Sequence, residues 1–218
     1  MVKIRRLVHA GLEIETGSIT ILIDPGRYCF VGGHPSGVWR PEDFRPNLLL
    51  FTHAHGDHFE PETAAAIIRN SNPKVYGSRE VVEGLREVGI EIAHLPVGQR
   101  DSFSGIPVRS VPADHRRPGE TIGFVITVEG RDLYHCGDTH YMAEKPGADV
   151  VFVPIGNLDY TMGPDEAARF VREINPQLAV PIHYESPKMN VRPEQFAEHL
   201  RGSNIECKIL APGEWMTL

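Results

Sequence analysis

Six short runs of consecutive apolar residues, each closing on a polar cluster, limit how this chain can fold: ITILIDPG (19–26), NLLLFTHAHGDH (47–58), GIPVRSVPADH (105–115), RDLYHCGDTH (131–140), DVVFVPIGN (149–157) and QLAVPIHYE (177–185). Runs that are apolar at neighbouring positions, rather than at alternate ones, are what strands buried on both faces require. Stretches with helix punctuation lie between them. Proline opens 61–69, 164–174 and 193–201, Ser78 precedes 79–88 as a cap, and Gly89 and Gly202 follow helix ends. Segments 3–8, 12–16, 19–23, 121–128 and 131–136 read as antiparallel hairpins, with turn residues at 15–18 and 129–130. Strands inside and helices outside predict an α/β layered sandwich. No repeat at a period of about 20–50 residues and no low-complexity tract interrupts the chain, so one domain over 1–218 is expected.

The second run ends in His53-Ala-His55-Gly-Asp57-His58, four metal-capable side chains within six residues, behind a buried strand and ahead of a helix. Imidazole and carboxylate together suit zinc, and also manganese, iron or nickel. On extended chain the spacing of His53 and His55 points both rings the same way, while a turn at Gly56 redirects Asp57 and His58 toward a second position. One tight loop can therefore serve two metals. It cannot complete two coordination spheres, and further candidates close other runs: His115, Asp138 and His183. Each alone is also an ordinary turn residue, but together at strand ends they follow the usual location of sites in α/β architectures.

With these residues in order, the chain resembles a metallo-β-lactamase-fold hydrolase. The five motifs of that family are matched by Asp24 in ILIDPG, by HAHGDH at 53–58, and by His115, Asp138 and His183. TMGP at 161–164, YHCGDT at 134–139 and PIHYES at 181–186 resemble the metal-dependent hydrolase branch near the ascorbate-phosphate lactonases. The resemblance implies a four-layer αββα sandwich, two mixed sheets with helices on the outer faces. It implies two divalent metal ions, zinc first, with His53, His55 and His115 on one, Asp57, His58 and His183 on the other, and Asp138 bridging. Asp24 is then an acceptor that orients a ligand histidine or the 53–58 loop. His9 stands where the branch has a Gly-His pair and is assigned a similar orienting role, although Val8 replaces the glycine.

Asp57 is both a ligand and a candidate proton acceptor. His140, two positions after Asp138, is a candidate general acid for the leaving group, against the alternative of an exposed loop histidine. Arg116 and Arg117 follow His115, and Lys188 follows His183 by five positions, so all three are candidates for binding a substrate anion. The loop 26–46 is too long for a tight connection, and Phe30 and Trp39 either wall a pocket or anchor the loop.

The formal charge of −7 excludes a generally nucleic-acid-attracting or membrane-attracting surface. Three cysteines without CxxC spacing suit reduced thiols, and no targeting or membrane-spanning segment is evident, so a cytoplasmic protein is expected. The leading expectation is a hydrolase cleaving an ester, lactone or phosphoester of a small anionic substrate, with no nucleic-acid or membrane partner and homo-oligomerisation left open. The alternatives are a nuclease or phosphodiesterase acting on nucleic acid, and a metal-binding module without turnover.

Overall fold

Leu48–Phe51, the run ahead of the histidine-rich loop, is a strand buried at all four positions in the computed structural model, which describes residues 1–157, 159–186 and 188–218. It belongs to the first of two units, 1–96 with 211–218, the second being 97–210. The first unit carries β1 (Val2–Arg6), β2 (Leu12–Thr16), β3 (Ile19–Ile23), β4 (Leu48–Phe51), α1 (Pro61–Ser71), β5 (Lys74–Gly77), α2 (Arg79–Glu87) and β6 (Ala93–His94). The second carries β7 (Arg100–Phe103), β8 (Ile106–Pro112), β9 (Ile122–Val128), β10 (Arg131–His135), β11 (Val150–Pro154), α3 (Pro164–Ile174), β12 (Leu178–Ile182), α4 (Pro193–His199) and β13 (Glu206–Cys207). A last strand, β14 (Trp215–Thr217), joins the sheet of the first unit.

Each unit holds one seven-stranded mixed sheet on the same plan, in the orders β14-β1-β2-β3-β4-β5-β6 and β7-β8-β9-β10-β11-β12-β13. In both, four strands paired antiparallel lead into strands paired parallel. Parallel neighbours need a crossover, and helices supply two of the three in each unit, α1 and α2 in the first and α3 and α4 in the second; the connections from β3 to β4 and from β10 to β11 carry no α-helix. Ile67, Val81 and Leu85 pack with Leu49, Phe51 and Val75, whereas Phe170, Val171 and Phe196 pack with Val151, Val153 and Ala179. The expected pair of mixed sheets with helices is thus present, one sheet in each unit. Among the described residues no helix is long and apolar enough to cross a membrane.

Three local expectations shift. β1 ends at Arg6 rather than at Val8, because Leu7 N donates to the Gly11 carbonyl and Gly11 N to that of Val8, closing a turn with His9 at φ 64°. Ser78 takes the extended N-cap backbone and its carbonyl accepts from Val82 N, but its hydroxyl makes no capping bond. α4 ends at His199, two residues before the expected end at 201, and Gly202 follows at φ 78°. The loop 26–46 is anchored by its aromatics: Phe30 and Phe44 are buried in the first unit's core and Phe30 bridges to Trp39.

α1 and α3 each open on proline, run 11 residues and stop on a left-handed asparagine, Asn72 (φ 49°) and Asn175 (φ 55°), followed by Pro73 and Pro176. Asparagine tolerates this backbone better than residues other than glycine. Replacing Asn175 by Gly should hold or raise stability by up to about 1 kcal/mol, and Asn175→Ala should lower it by about 1 kcal/mol. The urea midpoint of each variant, at unchanged slope, gives the sign.

Candidate functional site

The loop after β4 is shaped by a carboxylate outside it. Asp24 follows β3 in a left-handed conformation (φ 45°) and is fully buried. Its Oδ1 accepts from Thr52 N at 2.7 Å, and its Oδ2 accepts from the Thr52 hydroxyl at 2.6 Å and from His58 Nδ1 at 2.8 Å. A carboxylate can only accept, so His58 carries its hydrogen on Nδ1 and offers the Nε2 lone pair. The Thr52 oxygen, its own hydrogen committed to Asp24, lies 3.0 Å from His53 Nδ1 and accepts from it. His53 Nε2 is thereby turned toward His55 Nδ1, 3.1 Å away. Two nitrogens on one tetrahedral zinc, each at 2.0–2.1 Å, stand roughly 3.3 Å apart. This pair has nearly that spacing.

Gly26 lets the neighbouring chain come close enough to hold the loop. A Cβ there would lie 1.9 Å from the Asp57 carbonyl oxygen and 2.4 Å from His58 N. The next residue donates from Arg27 N to the Gly56 carbonyl at 3.0 Å. On the other flank, His9 is buried in its left-handed turn with Nε2 3.1 Å from Asp57 Oδ2. Candidate ligand atoms of His9, Asp57 and His58 lie within 4.8 Å of one another, as do those of His53 and His55.

In the second unit the orienting acceptors are backbone carbonyls. His115, buried after β8, places Nδ1 3.0 Å from the Tyr160 carbonyl, which fixes the hydrogen on Nδ1. Its Nε2 is 4.0 Å from Asp138 Oδ2, and His183 Nε2 is 3.1 Å from Asp138 Oδ1. His183 follows β12 at φ 60°, with Gly156 packed so closely that a Cβ there would meet the His183 carbonyl at 2.5 Å. Thr139 ties the loops together: its hydroxyl accepts from Asp114 N at 3.0 Å, while His140 N donates to the Asp114 carbonyl at 2.8 Å.

His140 is buried, not an exposed loop residue, and its Nε2 lies 3.3 Å from the Asp159 carbonyl. Arg116 and Arg117 are exposed; Arg116 Nε lies 3.7 Å from Asp114 Oδ2, and the Arg117 guanidinium stacks 4.7 Å over Tyr160. Lys188 is exposed as well. Thr52, Thr139 and the Tyr160 carbonyl are parts of the site that motif reading passes over. The first two adjoin predicted ligands in sequence; nothing in the sequence marks the third.

The donors in both units are imidazole and carboxylate, a set that fits zinc, manganese or iron. The thiols do not compete for that role. Burial pushes the Cys29 thiol up to about 12 and raises that of Cys136, and Cys136 sits in the core beside Val125 and Val153. Because Asp24 orients two imidazoles, Asp24→Ala should weaken metal binding by about 10- to 100-fold. Thr52→Val should weaken it too, by removing the acceptor that orients His53 together with one donor to Asp24, and Thr52→Ser should keep it near wild type. Competition with a chromogenic chelator measures all three.

A β-lactamase superfamily domain matches over residues 3–183. A UPF0173 metal-dependent hydrolase of Pyrococcus abyssi (strain GE5 / Orsay) is 35% identical over 235 aligned residues, with 100% of both chains covered. Igni18, a metallo hydrolase from Ignicoccus hospitalis, matches in structure with a TM-score of 0.83 and 24% identity over 99% of this chain and 97% of that one. The metallo-β-lactamase fold protein YhfI from Bacillus subtilis matches with a TM-score of 0.77 and 15% identity, each chain covered in full at 100%. These two share the fold, and the full-length sequence match carries the kinship further: this chain belongs to the β-lactamase superfamily and, within it, to the UPF0173 metal-dependent hydrolases.

Proposed function

We propose that residues 1–218 act as one catalytic domain that hydrolyses an ester, lactone or phosphoester of a small anionic molecule with a dinuclear metal centre. The observation that carries this reading is the fixed tautomer of His53, His58 and His115, each with Nδ1 committed to an acceptor, so that Nε2 is the nitrogen able to bind metal. The assignment of His53, His55 and His115 to one ion, Asp57, His58 and His183 to the other, and Asp138 to both rests on the order of the family motifs along the chain. When bound, such ions polarise the scissile bond and lower the pKa of water toward neutrality. Zinc is the first choice for them.

The chain's own groups then have separate tasks. His9 holds the Asp57 carboxylate from the side, at 3.1 Å, and Asp57 is the ligand that accepts a proton from the attacking water. His140 supplies a proton to the leaving group, the one its Nε2 now shares with the Asp159 carbonyl. Arg116, Arg117 and Lys188 draw in the anionic substrate. A charge of −7 favours a small anion held by local cations over nucleic acid, and three free thiols suit the reducing cytoplasm.

Elemental analysis should find two divalent ions per chain, and chelation should stop turnover and lower the melting temperature, since metal binds only the folded state. Asp57→Ala should cut kcat by about a hundredfold or more on a panel of phosphoesters, lactones and amides. Wild-type rates in that variant, or full metal content well below the histidine range near pH ~6.5, would refute the assignment. The double change Arg116→Ala and Arg117→Ala should raise KM about tenfold for charged substrates and spare neutral analogues.

A further inference from the structure

We infer that Arg27 is a substrate-binding residue that holds an oxyanion, phosphate or carboxylate, of the small molecule to be cleaved. The inference rests on reading 53–58 as the metal loop, and it names a cation beside that loop that the sequence motifs do not mark. Arg27 lies in the short 3-10 turn Arg27–Cys29, exposed to solvent. Its Cδ and Nε would each lie 3.8 Å, and its Cζ 3.9 Å, from a Cβ placed on Gly56. The guanidinium therefore rests against the one residue that separates the candidate ligands His55 and Asp57.

Its surroundings leave it available. Arg5, Arg86, Arg116, Arg169 and Arg201 each face a carboxylate, whereas Arg27 forms no ion pair among the described residues. It stacks on Tyr28, with Cζ 5.5 Å from the ring centre, and Tyr28 in turn meets His9 edge-on at 5.0 Å. Stacking engages the face of a guanidinium and leaves its N–H edge for bidentate bonds to an oxyanion.

The turn that carries it is clamped from two sides. Gly26 is pressed onto Asp57 and His58, and on the far side Gly33 is so close that a Cβ would lie 1.8 Å from the Arg27 carbonyl oxygen. Phe30 N donates to that same carbonyl at 3.2 Å, and Arg27 N donates to Gly56 O at 3.0 Å. A cation on a backbone held this firmly loses less freedom on binding than one on a loose loop. An acidic protein that binds an anion needs such a fixed local charge.

Calorimetric titration with inorganic phosphate, and separately with acetate, compares wild type, Arg27→Gln and Arg27→Lys, each as metal-free and as zinc-loaded protein. At least one anion should bind about tenfold more weakly to Arg27→Gln, with an intermediate loss for Arg27→Lys, which keeps the charge but not the fork. Zinc content should be the same in all three. The anion that shows the dependence identifies the group recognised. Anion affinities of Arg27→Gln within twofold of wild type, or no anion binding to any of the proteins, would overturn the assignment. Failure of wild type to hold zinc would instead overturn the metal-loop reading, and the metal-free titrations would still decide whether Arg27 binds an anion.

Discussion

A buried carboxylate is tolerable only when donors surround it, and the first unit is organised around one that has three. Asp24 takes both hydrogens that Thr52 can give and the Nδ1 hydrogen of His58. Charged acceptors make stronger hydrogen bonds than neutral ones, so these bonds offset the loss of hydration. The same three bonds settle the direction in which two imidazoles present their lone pairs. Preorganisation of this kind reduces the rearrangement that ligands undergo when an ion arrives. The arrangement also uses uncommon backbone: His9 and Asp24 are both left-handed without being glycine, a state of order 1–3 kcal/mol that persists only where neighbours enforce it.

The second unit reaches a similar end by other means. Its imidazoles at His115 and His140 lean on main-chain carbonyls of 159–160, so their orientation depends on the fold of that loop and not on one side chain. Asn157 and Asp159 are both left-handed without being glycine, at φ 63° and 61°. A carbonyl fixes the tautomer as well as a carboxylate does, without adding charge beside the ligand.

Much of this was legible in the sequence because strong periodic and punctuation signals agreed with the fold. The run LLLF, the prolines opening α1, α3 and α4, and the dense cluster at 53–58 all say the same thing locally as they do in three dimensions. What stayed hidden has physical reasons. β13 and β14 are two and three residues long and owe their extended state to a neighbouring strand, not to their own pattern. The turn at His9 stays hidden because nothing in Leu-Val-His-Ala announces one, so the pattern reads as strand through Val8, and the bonds that make the turn run from Leu7 to Gly11 and from Gly11 back to Val8. The Tyr160 carbonyl has no side-chain signature at all. Ser78 shows the reverse: a sequence signal for a cap that the hydroxyl does not use.

The ends of the two sheets bear on how the protein behaves when crowded. An outermost strand presents unpaired N–H and C=O groups on which another chain can build, and length and flatness make it a better template. Here β6 and β13 contribute two residues each and β14 three, too little for a lasting register with a foreign strand. β7, the longest of the four at four residues, places Arg100 and Asp101 in the exposed row. Sheets whose interiors are almost continuously aliphatic are thus bordered by strands that resist edge-to-edge aggregation.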